Sequence, residues 1–167
     1  DGLAVWATSP RRDQVSVLDA DSLTVLGVVP TGAGPAHVVL MPDGRTALVT
    51  NADDDSLSAI DATTLLPTTT VATAAMPHGI RPSPLGGSAL VAAMDDDVVE
   101  VVDVSVPEAT ARIDVGDGPV QVAYAPDGRT AYATLGGAGA VVKIDLATRR
   151  VVGRVEVDPR PVQLAVT

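Results

Sequence analysis

The sequence has no cysteine and no phenylalanine, and only one lysine, one tryptophan and two tyrosines among its 167 residues. Without cysteine there is no disulfide framework and no thiol chemistry, which fits either side of a membrane. With Lys143 as the single lysine, and 11 basic residues against 21 acidic ones, the clustered positive charge that a phosphate backbone needs is missing. Nucleic acid is therefore excluded as a partner class. No stretch approaches the ~18 consecutive apolar residues of a spanning helix. No basic segment followed by an apolar run opens the sequence, so no targeting signal is read there. The beginning at Asp1, and a last repeat that stops before its turn, suggest ends set by cleavage. Apolar residues still make up 46% of the chain, so a core must come from Val, Ala, Leu and Ile. Small branched side chains of that kind suit sheets packed face to face.

What the sequence does have is a period. Asp19, Asp61, Asp103 and Asp145 stand 42 residues apart, each after an apolar residue (Leu18, Ile60, Val102, Ile144). Pro35, Pro77, Pro119 and Pro161 keep the same interval, as do Thr8, Thr50 and Thr134, with Ala92 in the remaining place. A repeat of roughly 40–45 residues is the size of one four-stranded propeller blade. The repeats run over 34–75, 76–117 and 118–159, with 1–33 plus 160–167 as the remaining unit.

Residues 34–75 show how one unit works. Ala36 to Leu40 is a short β-branched run, a strand signal. Met41-Pro42-Asp43-Gly44 is a turn, because proline presets φ and glycine accepts positive φ at its exit. Thr46 to Thr50 is a second strand and Asn51 to Asp55 a polar loop. Ser56 to Ile60 alternates polar and apolar as a third strand should. Asp61 opens a turn in which its carboxylate can accept from nearby amides, and a fourth strand lies around Thr68 to Thr73. No helical period occurs anywhere. The expectation is an all-β fold of four-stranded antiparallel blades, each covered by its neighbours because no single sheet can hide both faces. The phase runs from a second strand (Leu3 to Thr8) to a first strand (Val162 to Thr167). If the ends meet, the last segment can complete the first sheet and remove an open edge.

Ala47 to Asn51 followed by Ser56 to Asp61 resembles the "YVTN … SVID" signature of the YVTN-type β-propeller repeat. Val15 to Asp19 matches its second half again. Gly34-Pro35 and Ala125 to Arg129 match its "G-x-x-P … SPDG" segment. The resemblance covers the whole chain in four copies. It implies a propeller, about seven blades in typical members, and an exported, periplasmic or surface-layer setting. Four units leave three readings open: a closed four-blade ring, half of a homodimeric eight-blade ring, or a segment of a larger propeller. The last two are preferred, because an open arc exposes apolar faces.

Candidate chemistry centres on His37 and His78, the only histidines. Both fall on the first strand of consecutive repeats. Two imidazoles at a propeller mouth can hold a divalent transition metal or a haem-type cofactor, and haem-containing nitrite reductase propellers, which resemble this family, use histidines at such places. However, His78 aligns with Ala36, whereas His37 aligns with Gly79, Gln121 and Gln163. An offset of one residue points side chains to opposite faces unless a bulge corrects it. The simpler reading is a polar channel position filled by His37, Gln121 and Gln163, with no cofactor. Arg81 replaces an apolar residue and can anchor an anion beside His78 or pair with an acidic loop. Asp53, Asp54 and Asp55 recur 42 residues later as Asp95, Asp96 and Asp97. They lack the glycine-punctuated loop of a calcium hand and read as solvated loops that a weak cation or a partner can use. The periodic Asp19, Asp61, Asp103 and Asp145 read as turn caps.

Two function classes follow. The first, implied by the resemblance, is a non-enzymatic binding or scaffold module whose loops and channel mouth hold a protein, peptide or polymer. The second is a lactonase-like hydrolase, or a metal- or haem-binding propeller, using His37 and His78. No carboxylates converge on the histidines in the sequence, which favours the first class.

Overall fold

The computed structural model describes residues 2–103, 105, 108–157 and 159–167. Fifteen strands and one turn of 3-10 helix, Pro10–Arg12, make up its regular structure. The first sheet holds β1 (Ala4–Ser9), β2 (Gln14–Asp19) and β3 (Val25–Pro30). The second holds β4 (Pro35–Leu40), β5 (Thr46–Asn51), β6 (Ser56–Asp61) and β7 (Leu66–Ala72). The third holds β8 (Pro77–Pro82), β9 (Ser88–Ala93), β10 (Val98–Asp103) and β11 (Glu108–Asp114). The fourth holds β12 (Pro119–Tyr124), β13 (Thr130–Leu135), β14 (Ala140–Asp145) and β15 (Arg150–Glu156). Each sheet is an antiparallel meander in sequence order, and the strands of the 34–75 unit fall within two residues of those read from its pattern.

The periodic aspartates cap the turns between third and fourth strands. The Asp61 carboxylate accepts from the amides of Thr63 (2.9 Å) and Thr64 (2.8 Å). Asp19 accepts from Ser22 (2.8 Å), Asp103 from Ser105 (2.8 Å) and Asp145 from Thr148 (2.9 Å). Amides aimed at the charged form hold the Asp19, Asp61 and Asp145 carboxyls below the usual range.

Sheets cover one another through repeated positions. Val15, Val17 and Val29 of the first sheet, with Trp6 beside them, meet Ala47, Val49 and Ile60 of the second. Leu48, Leu57, Ala59 and Val71 of the second then meet Ile80, Ala89, Val91 and Val102 of the third. Leu90, Ala92, Val99 and Ile113 of the third meet Val122, Ala131, Ala133 and Ile144 of the fourth. Every sheet thus has one face turned back and one turned forward. Alternation along each strand supplies both, which is why the strands read as nearly continuous apolar runs.

The innermost strands β4, β8 and β12 lie side by side, and residues 161–167 follow β12 in that order. Leu164 to Val166 line a cleft with Ala123 and Tyr124. Closure onto the first sheet, which the sequence phase allows, is not made: that sheet has three strands, and residues 161–167 form none. The segment continues past the fourth sheet because inner strands stack one after another, so its neighbour is β12 rather than β1. Val5 in the first sheet and Val155 in the fourth, whose equivalents Ala47 and Val71 are buried, accordingly stand exposed at the two ends of the arc.

Burial between sheets is the dominant stabilising term, at roughly 25 cal/mol per Å² of apolar surface. Leu90, 0% exposed between the third and fourth sheets, should therefore lose about 2–5 kcal/mol on Leu90→Ala. Leu66→Ala, at a position 62% exposed, should change stability by about 0.5 kcal/mol or less. Urea unfolding of the two variants measures the contrast.

Candidate functional site

Each inner strand begins with a proline and then a bulge. Register shifts between Pro35 and Val38, between Pro77 and Ile80, and between Pro119 and Gln121. An extra residue in a strand re-aims the side chains around it. This is the correction that the offset between His37 and His78 requires. Their rings meet edge to face, with centroids 4.6 Å apart and planes at 71°.

Thr50, opposite the bulge in the second sheet, ties the two strands together. Its hydroxyl accepts from the His37 amide (3.0 Å) and donates to the His78 carbonyl of the next sheet (2.8 Å). Thr8 makes the same forward bond to the Ala36 carbonyl (3.3 Å). In the third sheet the place belongs to Ala92, which has no hydroxyl, so the Val120 carbonyl lacks this partner. His78 fills the gap: its Nδ1 lies 3.2 Å from the Val120 oxygen. A carbonyl only accepts, so in this bond Nδ1 carries the proton. His78 thus stands in for the missing threonine.

His37 is half-buried, and its Nδ1 has no partner among the described residues. Burial, then the neighbouring His78 and Arg81, push its pKa below the usual 6.5, against a hydrogen bond that the ring donates to the His78 backbone, which acts the other way. Arg81 sits at the far end of β8, where its guanidinium donates to the Ile80 carbonyl (3.0 Å). Among the described residues it forms no ion pair. The pairing with an acidic loop is not made, because β8 runs from the loop rim to the opposite one. There Arg81 lines a cleft of about 450 Å³ with Pro42, Ser83, Tyr124 and Leu164. Burial raises the Tyr124 phenol above 10.0, opposed by hydrogen bonds with Ser88 and Ser83.

Gln121 is buried, and its carboxamide oxygen accepts from the Val122 amide (3.0 Å). Gly79 packs against it: a Cβ there would lie 2.5 Å from that oxygen and from the Val120 carbonyl. Only glycine allows this approach. Gln163 is exposed in the last segment. The structure therefore brings His37, His78 and the Gln121 strand together and leaves Gln163 apart.

The acidic loops carry a role that the sequence reading missed. Asp55 accepts from the Met76 amide (2.9 Å) and Asp97 from the Gly118 amide (2.7 Å), each reaching the linker into the next sheet. Asp13 makes the same clasp to Gly34 (3.0 Å). All three adopt left-handed backbone (φ 50, 47 and 58), which aspartate tolerates, and Gly139 takes it (φ 63) in the fourth copy. The legible signal was Asp at 13, 55 and 97 with Gly at 139. Asp96 adds a bond from the Ala75 amide (3.0 Å), while Asp53, Asp54, Asp95 and Asp96 remain exposed. A second missed residue is Glu100, fully buried, accepting from the Ala74 amide (3.0 Å) and paired with Arg112 (2.9 Å). Ser58 performs that task one repeat earlier, accepting from Gly32 (3.2 Å).

Catalytic zinc takes three protein ligands. No group of three or more His, Asp or Glu placed to hold a metal occurs among the described residues. With Nδ1 of His78 spent on a carbonyl, the histidine pair offers two donors at most and does not fit such a centre.

Radially stacked four-stranded sheets, tied at their inner strands, define a segment of a β-propeller. The YNCE-like beta-propeller family model matches residues 3–166, and the chain belongs to that family. No curated protein matches it. Among solved structures it is similar to hydrazine synthase of Kuenenia stuttgartiensis, at 30% identity and a TM-score of 0.90 over 95% of this chain and 47% of the other. The chain thus spans about half the length of that structure.

Two outcomes test the histidine assignments. His78→Ala should cost about 1 kcal/mol by leaving the Val120 carbonyl unpaired, and adding Ala92→Thr should recover most of it in urea unfolding. For His37, the unfolded chain protonates near 6.5 and the folded chain only at lower pH. Its contribution is therefore present above that value and is lost as pH falls through the folded pKa. His37→Gln should flatten the slope of stability against pH below about 6.5.

Proposed function

We propose that this propeller segment is a binding and scaffold module, and that its ligand is a protein, peptide or polymer held at the loop rim. The observation that carries this reading is that, His37 and Arg81 apart, the polar side chains suited to chemistry are already engaged. His78 serves a carbonyl, Thr50 bridges two strands, Gln121 serves its own neighbour's amide, and Asp55 and Asp97 clasp linkers. The groups left facing solvent are those of the rim loops. Across the second and third sheets these present Asp53, Asp54, Asp95, Asp96 and Asp117, with no Lys or Arg in residues 52–55, 73–76, 94–97 or 115–118. With a net charge of -10, such a rim steers cationic segments toward it. The YVTN-type resemblance supports a periplasmic or cell-surface setting.

A fluorescent oligolysine peptide is the probe. The chain should bind it, and combining Asp53→Asn, Asp54→Asn, Asp95→Asn and Asp96→Asn should weaken binding about tenfold, or roughly 1.4 kcal/mol. The clasps at Asp55 and Asp97 stay intact in that variant. Unchanged affinity would sink the rim assignment. Lactone hydrolysis, or bound metal, that disappears in His37→Ala would replace the module with an enzyme.

A further inference from the structure

We infer that the channel mouth opposite the acidic rim is a second binding site, which takes a carboxylate carried on an apolar stem. It is independent of the rim reading, whose cationic ligand carries the opposite charge.

The turn between first and second strands departs from its pattern in one repeat only. Val39 to Arg45 in the second repeat and Ala123 to Arg129 in the fourth correspond to Arg81 to Gly87 in the third. There Arg81 stands in place of Val39 and Ala123, Ser83 in place of Met41 and Ala125, and Leu85 in place of Asp43 and Asp127. The third repeat has thus gained a cation and a hydroxyl and lost a carboxylate. The turn keeps its shape all the same. The amides of Gly44, Gly86 and Gly128 donate to the carbonyls of Met41, Ser83 and Ala125 at 2.9, 3.0 and 3.0 Å. In the flanking repeats the carboxylate is engaged by the turn's own amides, Asp43 accepting from Arg45 (2.8 Å) and Asp127 from Arg129 (2.9 Å). In the third, the Ser83 hydroxyl accepts from the Leu85 amide instead (3.2 Å). Charge has changed over an unchanged backbone, so folding does not account for the exchange.

The altered turn borders the cleft of about 450 Å³. Pro42, Pro84 and Pro126, one turn position in three repeats, give it apolar walls. Arg81 is the only charged side chain among the described residues that line it. A guanidinium carries five N–H donors. One group, at Nη1, donates to the Ile80 carbonyl (3.0 Å), and the others meet no acceptor among the described residues. A partly buried cation without a counter-charge is costly, and a ligand anion removes that cost. The planar fork matches the two oxygens of a carboxylate, and a single cation balances a monoanion where a phosphate dianion needs a second. Tyr124, also on the cleft wall, has hydrogen bonds with Ser88 and Ser83. Three hydroxyl hydrogens serve those two bonds, which leaves one to donate to an incoming oxygen. Leu85 is 76% exposed and lies against the next turn, where a Cβ on Gly128 would come within 2.8 Å of its Cδ1. It offers an apolar lip to the ligand's stem where an aspartate would repel the head.

Phenylacetate is the probe. Calorimetric titration should show saturable binding of one molecule per chain. Phenylacetamide, which has the same shape without the charge, should bind about tenfold more weakly or worse. Arg81→Val, which installs the residue of the second repeat, should weaken phenylacetate by about tenfold or more, and Tyr124→Phe by about threefold. Leu85→Asp, which restores the carboxylate of the flanking turns at an exposed position, should also weaken it and serves if Arg81→Val fails to fold. A short peptide ending in phenylalanine, with a free or an amidated terminus, identifies the source. Tighter binding of the free terminus than of phenylacetate makes it a chain end, and weaker binding makes it a small organic acid. Saturation by neither free acid, equal affinity for phenylacetamide, or unchanged affinity in both Arg81→Val and Leu85→Asp overturns the proposal.

Discussion

Everything in this molecule depends on one constraint: a four-stranded sheet with two apolar faces has to be covered on both. No sheet of four short strands can do this for itself, so each repeat is stable only through its neighbours. The small side chains of the composition make it workable. Side chains such as Leu48, Leu57, Ala59, Ile80 and Val91 let the second and third sheets approach closely. The apolar contacts give the stacking its energy but little of its register. Hydrogen bonds between sheets supply that.

Three such devices recur at fixed positions. A threonine hydroxyl on the second strand reaches the next inner strand, as Thr50 does to the His78 carbonyl. An aspartate in left-handed backbone clasps the following linker, as Asp55 does to Met76. A polar side chain on the third strand serves a linker amide, Ser58 in one repeat and Glu100 in the next. When one device loses its residue, another group is recruited. Ala92 removes a hydroxyl, and His78 supplies the missing donor from the neighbouring strand. In this light the histidine that looked most like a ligand or catalyst has a structural occupation. The loop carboxylates divide the same way: Asp55 and Asp97 hold linkers, whereas Asp53 and Asp95 face solvent.

The described sheets form an arc in which the first and last sheets are each packed against one neighbour. Val5 and Val155, exposed at the two ends, take the positions that Ala47, Ala89 and Ala131, and Val29, Val71 and Ile113, hold buried at the internal junctions. Repetition makes an end face legible, because what covers it elsewhere in the chain specifies what can cover it there.

The sequence by itself determined the repeat, the all-β class, the strand order within each sheet and the aspartate turn caps. All of these rest on patterns within a few residues: alternation, proline and glycine at turns, and a carboxylate beside its own amides. Only the tertiary structure decided that His37 meets His78, that His78 replaces the Ala92 hydroxyl, that Asp13, Asp55 and Asp97 are clasps, and that Glu100 is buried beside Arg112. Those contacts join residues 12, 21, 41 or 42 apart, all but the Glu100–Arg112 pair across sheets. They depend on how far each bulge turns a side chain and on which face of the next sheet it meets. Periodicity marks positions as equivalent, but which of two equivalent side chains reaches its partner is settled only when the sheets are stacked.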